Sequence, residues 1–76
     1  MTPCIYREGD TLTLWAENKI IEAVGLVATA KGVARIFVER DPKTTPAQHE
    51  QAMQHAVVSL SVMVAQAVAA HRAHGP

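Results

Sequence analysis

Four histidines and one cysteine are the residues of this chain whose chemistry could support a metal site or catalysis. His71 and His74 are three positions apart and can share a helix face, but a zinc site needs three or four ligands. His49 and Glu50 begin like the HExxH zinc motif, yet Met53 stands where the second histidine should be. The sequence therefore predicts no metal site and no cofactor.

The cysteine and the acidic residues form no catalytic pattern either. Cys4 has no histidine near it in sequence that could activate the thiol, and Glu8 and Asp10 are expected to be solvated residues of a turn. The motifs GxxxxGK[ST], GxGxxG and GxSxG are missing from the sequence. We therefore expect no catalytic residues. A site assembled between subunits around Arg35, Arg40 or a histidine is the enzymatic alternative.

Size and charge limit the class of protein. The 76 residues make one small domain, 1–76, and a single cysteine excludes an internal disulfide. Seven basic residues balance seven acidic ones, so electrostatic attraction to nucleic acid or to an anionic membrane is weak. The N-terminus lacks the pattern of a signal peptide, and the apolar stretch 56–70 is shorter than the roughly 20 residues that cross a bilayer. We expect a cytoplasmic protein with no membrane partner.

Two segments carry strand patterns. Residues 11–15 alternate as TLTLW, and with the short β-prone run before them they predict a hairpin over 3–16. A turn of two or three residues around Gly9 would give opposite facings of the first strand, so its register stays open. Residues 33–40 predict a third strand, which Asp41 and Pro42 end.

Residues 17–31 fit a helix better than a strand. Apolar side chains fall within an arc of about 120° on a helical projection, and Gly32 could cap the end. Gly25 and several β-branched residues lower the helix propensity, so another pair of strands is the alternative.

The longest predicted element is a helix over 46–74. Thr45, Pro46 and Gln48 have the spacing of a capping box, and no glycine or proline follows until Gly75. The sequence thus predicts an α+β fold of order β-β-α-β-α, a small three-stranded sheet covered on one face by helices, with a long C-terminal helix. A four-stranded antiparallel meander with one helix is the alternative.

One face of the predicted sheet could bind a ligand. If Leu12 and Leu14 face the helices, Trp15 faces away, and Arg35 and Phe37 lie on the same outward side of the third strand. Such a face could stack unpaired bases, as single-stranded nucleic-acid platforms do. Packing against another protein or subunit is the other interpretation.

The long helix carries more apolar surface than one core can use. One seam has alternating spacings of four and three and consists of Met53, Val57, Leu60, Val64, Ala67 and His71. A second stripe with the same spacing lies well round the helix and consists of Val58, Val62, Ala65 and Ala69. We therefore predict a homo-oligomer, most simply a dimer, with this stripe as its interface. The alternative is that the sheet and the helix over 17–31 wrap both sides of the long helix and bury the stripe within one chain. The function predicted is that of a small interaction or regulatory module, an inhibitor or subunit that binds another protein. Single-stranded nucleic-acid binding is the alternative.

Overall fold

The computed structural model describes residues 2–29 and 32–74. Three five-residue strands form one antiparallel sheet in the order β1-β2-β3. This confirms the predicted α+β fold with its long C-terminal helix, and the described residues contain no fourth strand, so the meander alternative is wrong. The elements are β1 (Cys4–Glu8), β2 (Thr11–Trp15), α1 (Asn18–Ala23), β3 (Val33–Phe37) and α2 (Pro46–His74).

A two-residue turn settles the register of the hairpin. Glu8 pairs with Thr11, so that Gly9 and Asp10 alone make the turn between β1 and β2. Because paired residues of antiparallel strands share a face, Tyr6 lies on the same face as Thr13. The opposite face packs against the helices and carries Ile5, Leu12, Leu14, Ala34 and Ile36.

The helix predicted over 17–31 is only six residues long. α1 ends at Ala23, and Gly25 follows with a φ of 83°. This left-handed conformation ends the helix, and glycine adopts it without steric strain. The apolar arc is divided accordingly, because Val24 is buried with the helix whereas Val27 is 90% exposed. Gly25 and the β-branched residues therefore outweigh the helical spacing in this segment.

The glycine predicted to cap that helix instead brings β3 against the end of β2. Gly32 has a φ of 75°, and its carbonyl accepts a hydrogen bond of 3.1 Å from the N–H of Ala16. A Cβ at position 32 would lie 2.6 Å from the carbonyl oxygen of Ala16, so only glycine fits there. β3 ends at Phe37 rather than at 40, after which the N–H of Val38 donates to the carbonyl of Asp10 at 2.8 Å.

The core lies between the helix-facing side of the sheet and the two helices. Its largest fully buried side chains are Leu12, Leu14, Ile21 and Met53. α2 contributes most of the first seam predicted from its sequence, since Met53, Leu60, Val64 and Ala67 are buried. Of the other two predicted seam residues, Val57 is half-buried and His71 is exposed. At five residues per strand the sheet is far shorter than α2, whose 29 residues extend about 44 Å.

The capping box at the start of α2 is present as predicted. The N–H of Thr45 donates to Oε1 of Gln48 at 2.9 Å, and the N–H of Gln48 donates to Oγ1 of Thr45 at 3.2 Å. These reciprocal bonds satisfy two backbone donors that a helix start otherwise leaves to solvent.

Removing the capping hydroxyl should weaken the fold measurably. We expect Thr45→Ala to lower the free energy of unfolding by about 1 kcal/mol, because the N–H of Gln48 loses its acceptor. Thr45→Ser keeps the oxygen and should stay close to the parent protein. Urea denaturation of the three proteins measures the difference, and an unchanged midpoint for Thr45→Ala would show that the cap contributes nothing.

Candidate interaction surfaces

The second apolar stripe of α2 faces away from the core. Val58 and Val62 are 60% and 51% exposed, and Ala65 and Ala69 are also exposed. At 100° per residue the centre of this stripe lies about 160° from the centre of the buried seam. We call these four residues the outer stripe. The structure thus brings the predicted interface residues together on one surface that the described part of the chain leaves uncovered.

A groove continues the outer stripe toward the edge of the sheet. It has a volume of about 620 Å³ and lies between α2 and the chain around Pro3 and Ile5. Ala65 and Ala69 line it from the helix, and Arg72 lies at its end. The apolar surface open to a partner is therefore wider than the four residues predicted from the sequence.

α2 also passes the length and composition test for a membrane-spanning helix. The stretch Pro46–Arg72 is long and apolar enough to cross a membrane, and only 17% of its most apolar window is buried inside the protein. This differs from the expectation based on 56–70, because the uncharged part of the helix is longer than that stretch. A single helix of this kind is weak evidence for a membrane span, and its low buried fraction sets it apart from the mostly buried core helices of soluble proteins that meet the same criteria.

The second surface is the side of the sheet opposite the two helices, which we call the open face. Cross-strand pairing puts three rows of side chains on it, each row crossing β1, β2 and β3. The middle row is Tyr6, Thr13 and Arg35. One outer row is Cys4, Trp15 and Val33, and the other is Glu8, Thr11 and Phe37. The single tyrosine, tryptophan and phenylalanine of the chain therefore share one face.

The predicted binding residues of the open face are not in contact with one another as a stacking pair. Trp15 pairs with Val33, four residues along β3 from Phe37, which corresponds to roughly 13 Å. Arg35 lies between these rows and is exposed, as is Phe37 at 67%. Trp15 is only partly exposed, and its Nε1 is buried without a hydrogen-bond partner in the described part of the protein.

A polar cluster that sequence analysis missed joins the hairpin turn to the first turns of α2. Oδ1 of Asp10 accepts a hydrogen bond of 2.8 Å from Nε2 of His49, which is only 5% exposed. Nη2 of Arg40 lies 4.0 Å from the same oxygen. Beside them, Nη1 of Arg7 donates to Oε1 of Glu50 at 2.8 Å. Because His49 is enclosed, its bond to Asp10 holds the start of α2 against the hairpin turn.

The hydrogen bond from His49 lowers the pKa of Asp10 below its ordinary value. The positive charges of Arg40 and Arg7 act in the same direction, and together these effects outweigh the partial desolvation of the carboxyl. A carboxyl whose pKa is lower in the folded state stabilises the fold above its unfolded pKa of about 3.9. That contribution is lost as the pH falls through the folded pKa.

This linkage predicts a pH-dependent effect of Asp10→Asn. At pH 7 the variant should unfold at a lower urea concentration than the parent protein, because the carboxylate is replaced by a neutral acceptor. The difference between the two midpoints should shrink as the pH falls below about 4. Glu8→Gln, which removes an exposed acid beside the same turn, is the matched control. A constant difference from pH 7 to pH 2 would mean that Asp10 is stabilising through something other than its charge.

The remaining histidines form no metal site in the part of the chain that can be described. His55 and His71 are exposed, and the side chain of His74 lies outside the described residues. Among the side chains described, in residues 2–29 and 32–72, no group of three from histidine, cysteine, aspartate and glutamate could hold a metal ion. Cys4 is a free, exposed thiol on the open face.

Comparison of the chain with known protein families, curated proteins and solved structures found no match. A functional proposal for this protein has to be based on the two surfaces described above.

Proposed function

We propose that the protein is a small, non-enzymatic interaction module that acts as a homodimer, with the outer stripe buried between two copies of α2. The observation that carries this proposal is the position of the stripe. Four apolar residues, led by Val58 and Val62, lie on the side of α2 opposite the core, where nothing in the described chain covers them. Contiguous apolar surface of this kind is typical of protein interfaces.

The charges of the chain support self-association. A formal net charge of zero leaves no long-range repulsion between copies. Between Glu50 and Arg72, α2 has no acidic, lysine or arginine residue, so no such charge has to be desolvated when the stripe is covered. A closed twofold pair is the commonest way for a small protein to bury such a surface.

A membrane is the other environment that could cover this helix. Crossing a bilayer would require α2 to leave the sheet, because Met53, Leu60 and Val64 are buried against the domain. Lying on a membrane surface favours lysine and arginine beside the apolar stripe, and the uncharged stretch of α2 lacks both. A second protein copy fits the stripe better, and the free thiol of Cys4 suits a reducing compartment such as the cytoplasm.

Sedimentation equilibrium of the untagged protein at micromolar concentration tests the proposal. We expect a mass of twice the chain mass of 8.2 kDa. The same sample should stay in the aqueous fraction when it is mixed with neutral or anionic lipid vesicles and floated. A mass of 8.2 kDa, or co-flotation with either type of vesicle, would overturn the proposal.

In this proposal the dimer binds a second protein through surfaces that remain exposed, and it acts as a regulatory subunit or inhibitor. The open face of the sheet is the surface that self-association through α2 leaves free. Its exposed aromatic side chains, Tyr6 and Phe37, are of the type enriched at protein interfaces.

Single-stranded nucleic-acid binding is a second candidate function for the open face. The observation that favours it is that all three aromatic residues lie there together with the exposed Arg35. Trp15 is the only tryptophan, so its fluorescence reports on this face alone. On this hypothesis a short single-stranded DNA quenches or shifts the emission, and added salt weakens the response steeply. A titration that leaves the Trp15 emission unchanged at low salt would reject nucleic-acid binding. Phe37→Ala keeps the tryptophan reporter and should weaken the response if this face binds the strand.

A further inference from the structure

We propose that the two copies of α2 pair antiparallel, so that Val58 of each copy faces Ala69 of the other and Val62 faces Ala65. This inference rests on the proposed homodimer and adds the geometry of its interface. The outer stripe has spacings of four, three and four residues, which read the same in both directions along the helix. A twofold axis passing midway between Met63 and Val64 therefore places the reversed stripe on itself.

Side-chain size favours the antiparallel arrangement. The two larger residues of the stripe, Val58 and Val62, lie toward the N-terminal end of α2, and the two alanines lie toward the C-terminal end. Antiparallel pairing puts one valine opposite one alanine in every layer, so the helices can keep one separation along the contact. Parallel pairing would put valine on valine at one end and alanine on alanine at the other, which leaves a gap or forces the helices apart.

The charges at the two ends of α2 favour the same direction. Glu50 and Arg72 are the only acidic, lysine or arginine residues of the helix, and they lie near opposite ends. Glu50 is already paired with Arg7 of its own chain, but parallel pairing brings the two Arg72 side chains together, whereas antiparallel pairing separates them. The opposed helix dipoles also favour it. Continuing the spacing of the stripe by one step at each end places His55 opposite Arg72 of the second copy.

The arrangement has a consequence for binding. Each copy keeps its sheet on the side of α2 away from the second copy, which gives four layers in the order sheet, helix, helix, sheet. The two open faces then point in opposite directions. A dimer of this kind presents two identical faces, with Tyr6 and Phe37 exposed on each, and can bind two partners at once.

Cross-linking of single-cysteine chains tests the direction of pairing. Two variants, Val58→Cys and Ala69→Cys, are made in a Cys4→Ser background, and each is oxidised alone. The two variants are also mixed, unfolded and refolded together to exchange chains, and this mixture is then oxidised. In the antiparallel dimer, position 58 of one copy lies eleven residues along the helix axis from position 58 of the other copy. This distance of about 16 Å is too long for a disulfide. We therefore expect cross-links in the mixture, in about half of the chains, and almost none in either variant alone.

The other outcomes overturn the inference in distinguishable ways. Cross-links in each variant alone would show parallel pairing, with the homodimer itself intact. A dimeric mass without cross-links in any sample would show that the copies meet elsewhere. A monomeric mass of the Cys4→Ser background, measured first, would reject the homodimer on which the inference rests.

A charge at position 55 gives an independent measurement. His55→Glu should lower the dimer Kd about two- to tenfold, because the new carboxylate of each copy faces Arg72 of the other copy. The dimer therefore gains two such ion pairs. His55→Gln, which adds no charge, should leave the Kd near that of the parent protein. In a parallel dimer the two carboxylates would face each other, so a raised Kd for His55→Glu would overturn the inference.

Discussion

Val62→Glu is expected to convert the proposed dimer to a monomer of 8.2 kDa while the helix content stays that of the parent protein. Val62 is 51% exposed on the outer stripe, so a glutamate there does not disturb the core of the single chain. In the proposed dimer the same change would bury two unpaired carboxylates, which costs several kcal/mol. Sedimentation equilibrium measures the mass, and far-ultraviolet circular dichroism measures the helix content.

A matched variant separates this effect from that of adding a charge to the surface. Val27 is 90% exposed and lies in the segment after α1, outside the stripe, so Val27→Glu should remain dimeric. Val58→Glu should behave like Val62→Glu, because both valines belong to the same stripe. A dimer that tolerates both stripe substitutions would place its interface on another surface.

The long helix was predictable because its signals are local. The capping box, the absence of internal glycine and the two stripes are all contained in one stretch of sequence, and the structure shows a helix over Pro46–His74. From the sequence alone, the second stripe could also have been covered by the sheet and α1 wrapped around both sides of α2. The structure leaves it exposed, because the short sheet and the six-residue α1 cover only one side of the helix.

The segment after β2 was harder to predict for a physical reason. Its apolar spacing suited a helix, but a helix through Gly25 would have to overcome both the glycine and the β-branched residues around it. The chain instead turns there and returns to pair β3 with β2, and the N–H of Ala16 donates to the carbonyl of Gly32 at 3.1 Å. Pairing with a strand is a tertiary interaction that helical periodicity does not report.

Two features of the surfaces depended on information that the sequence does not contain. Tyr6 joins the open face only because the turn has two residues, and a three-residue turn would have placed it against the helices. Asp10 and His49 are 39 positions apart, and each alone resembles a solvated residue, one in a turn and one in a helix. The meeting of the hairpin turn with the start of α2 is what makes them a pair.

Met53→Ala should cause a large loss of stability. Met53 is fully buried in the core, where α2 packs on the sheet, so its truncation removes apolar contacts and leaves a cavity. Substitutions of this kind cost about 2–5 kcal/mol, a large fraction of the about 5–15 kcal/mol that stabilises a typical domain. Urea denaturation, monitored by circular dichroism, measures the loss. All proteins should be compared at one concentration, because dimer stability depends on it.

Met63 provides the matched control, since it lies on the same helix but is 44% exposed. Met63→Ala should cost less than about 1 kcal/mol, because little apolar contact is removed and helix propensity improves. If Met53→Ala does not fold, Met53→Leu keeps the volume of the side chain and should cost less than about 1.5 kcal/mol. Equal losses for Met53→Ala and Met63→Ala would contradict the packing described here, because they would mean that Met63 is as deeply buried as Met53 within one chain.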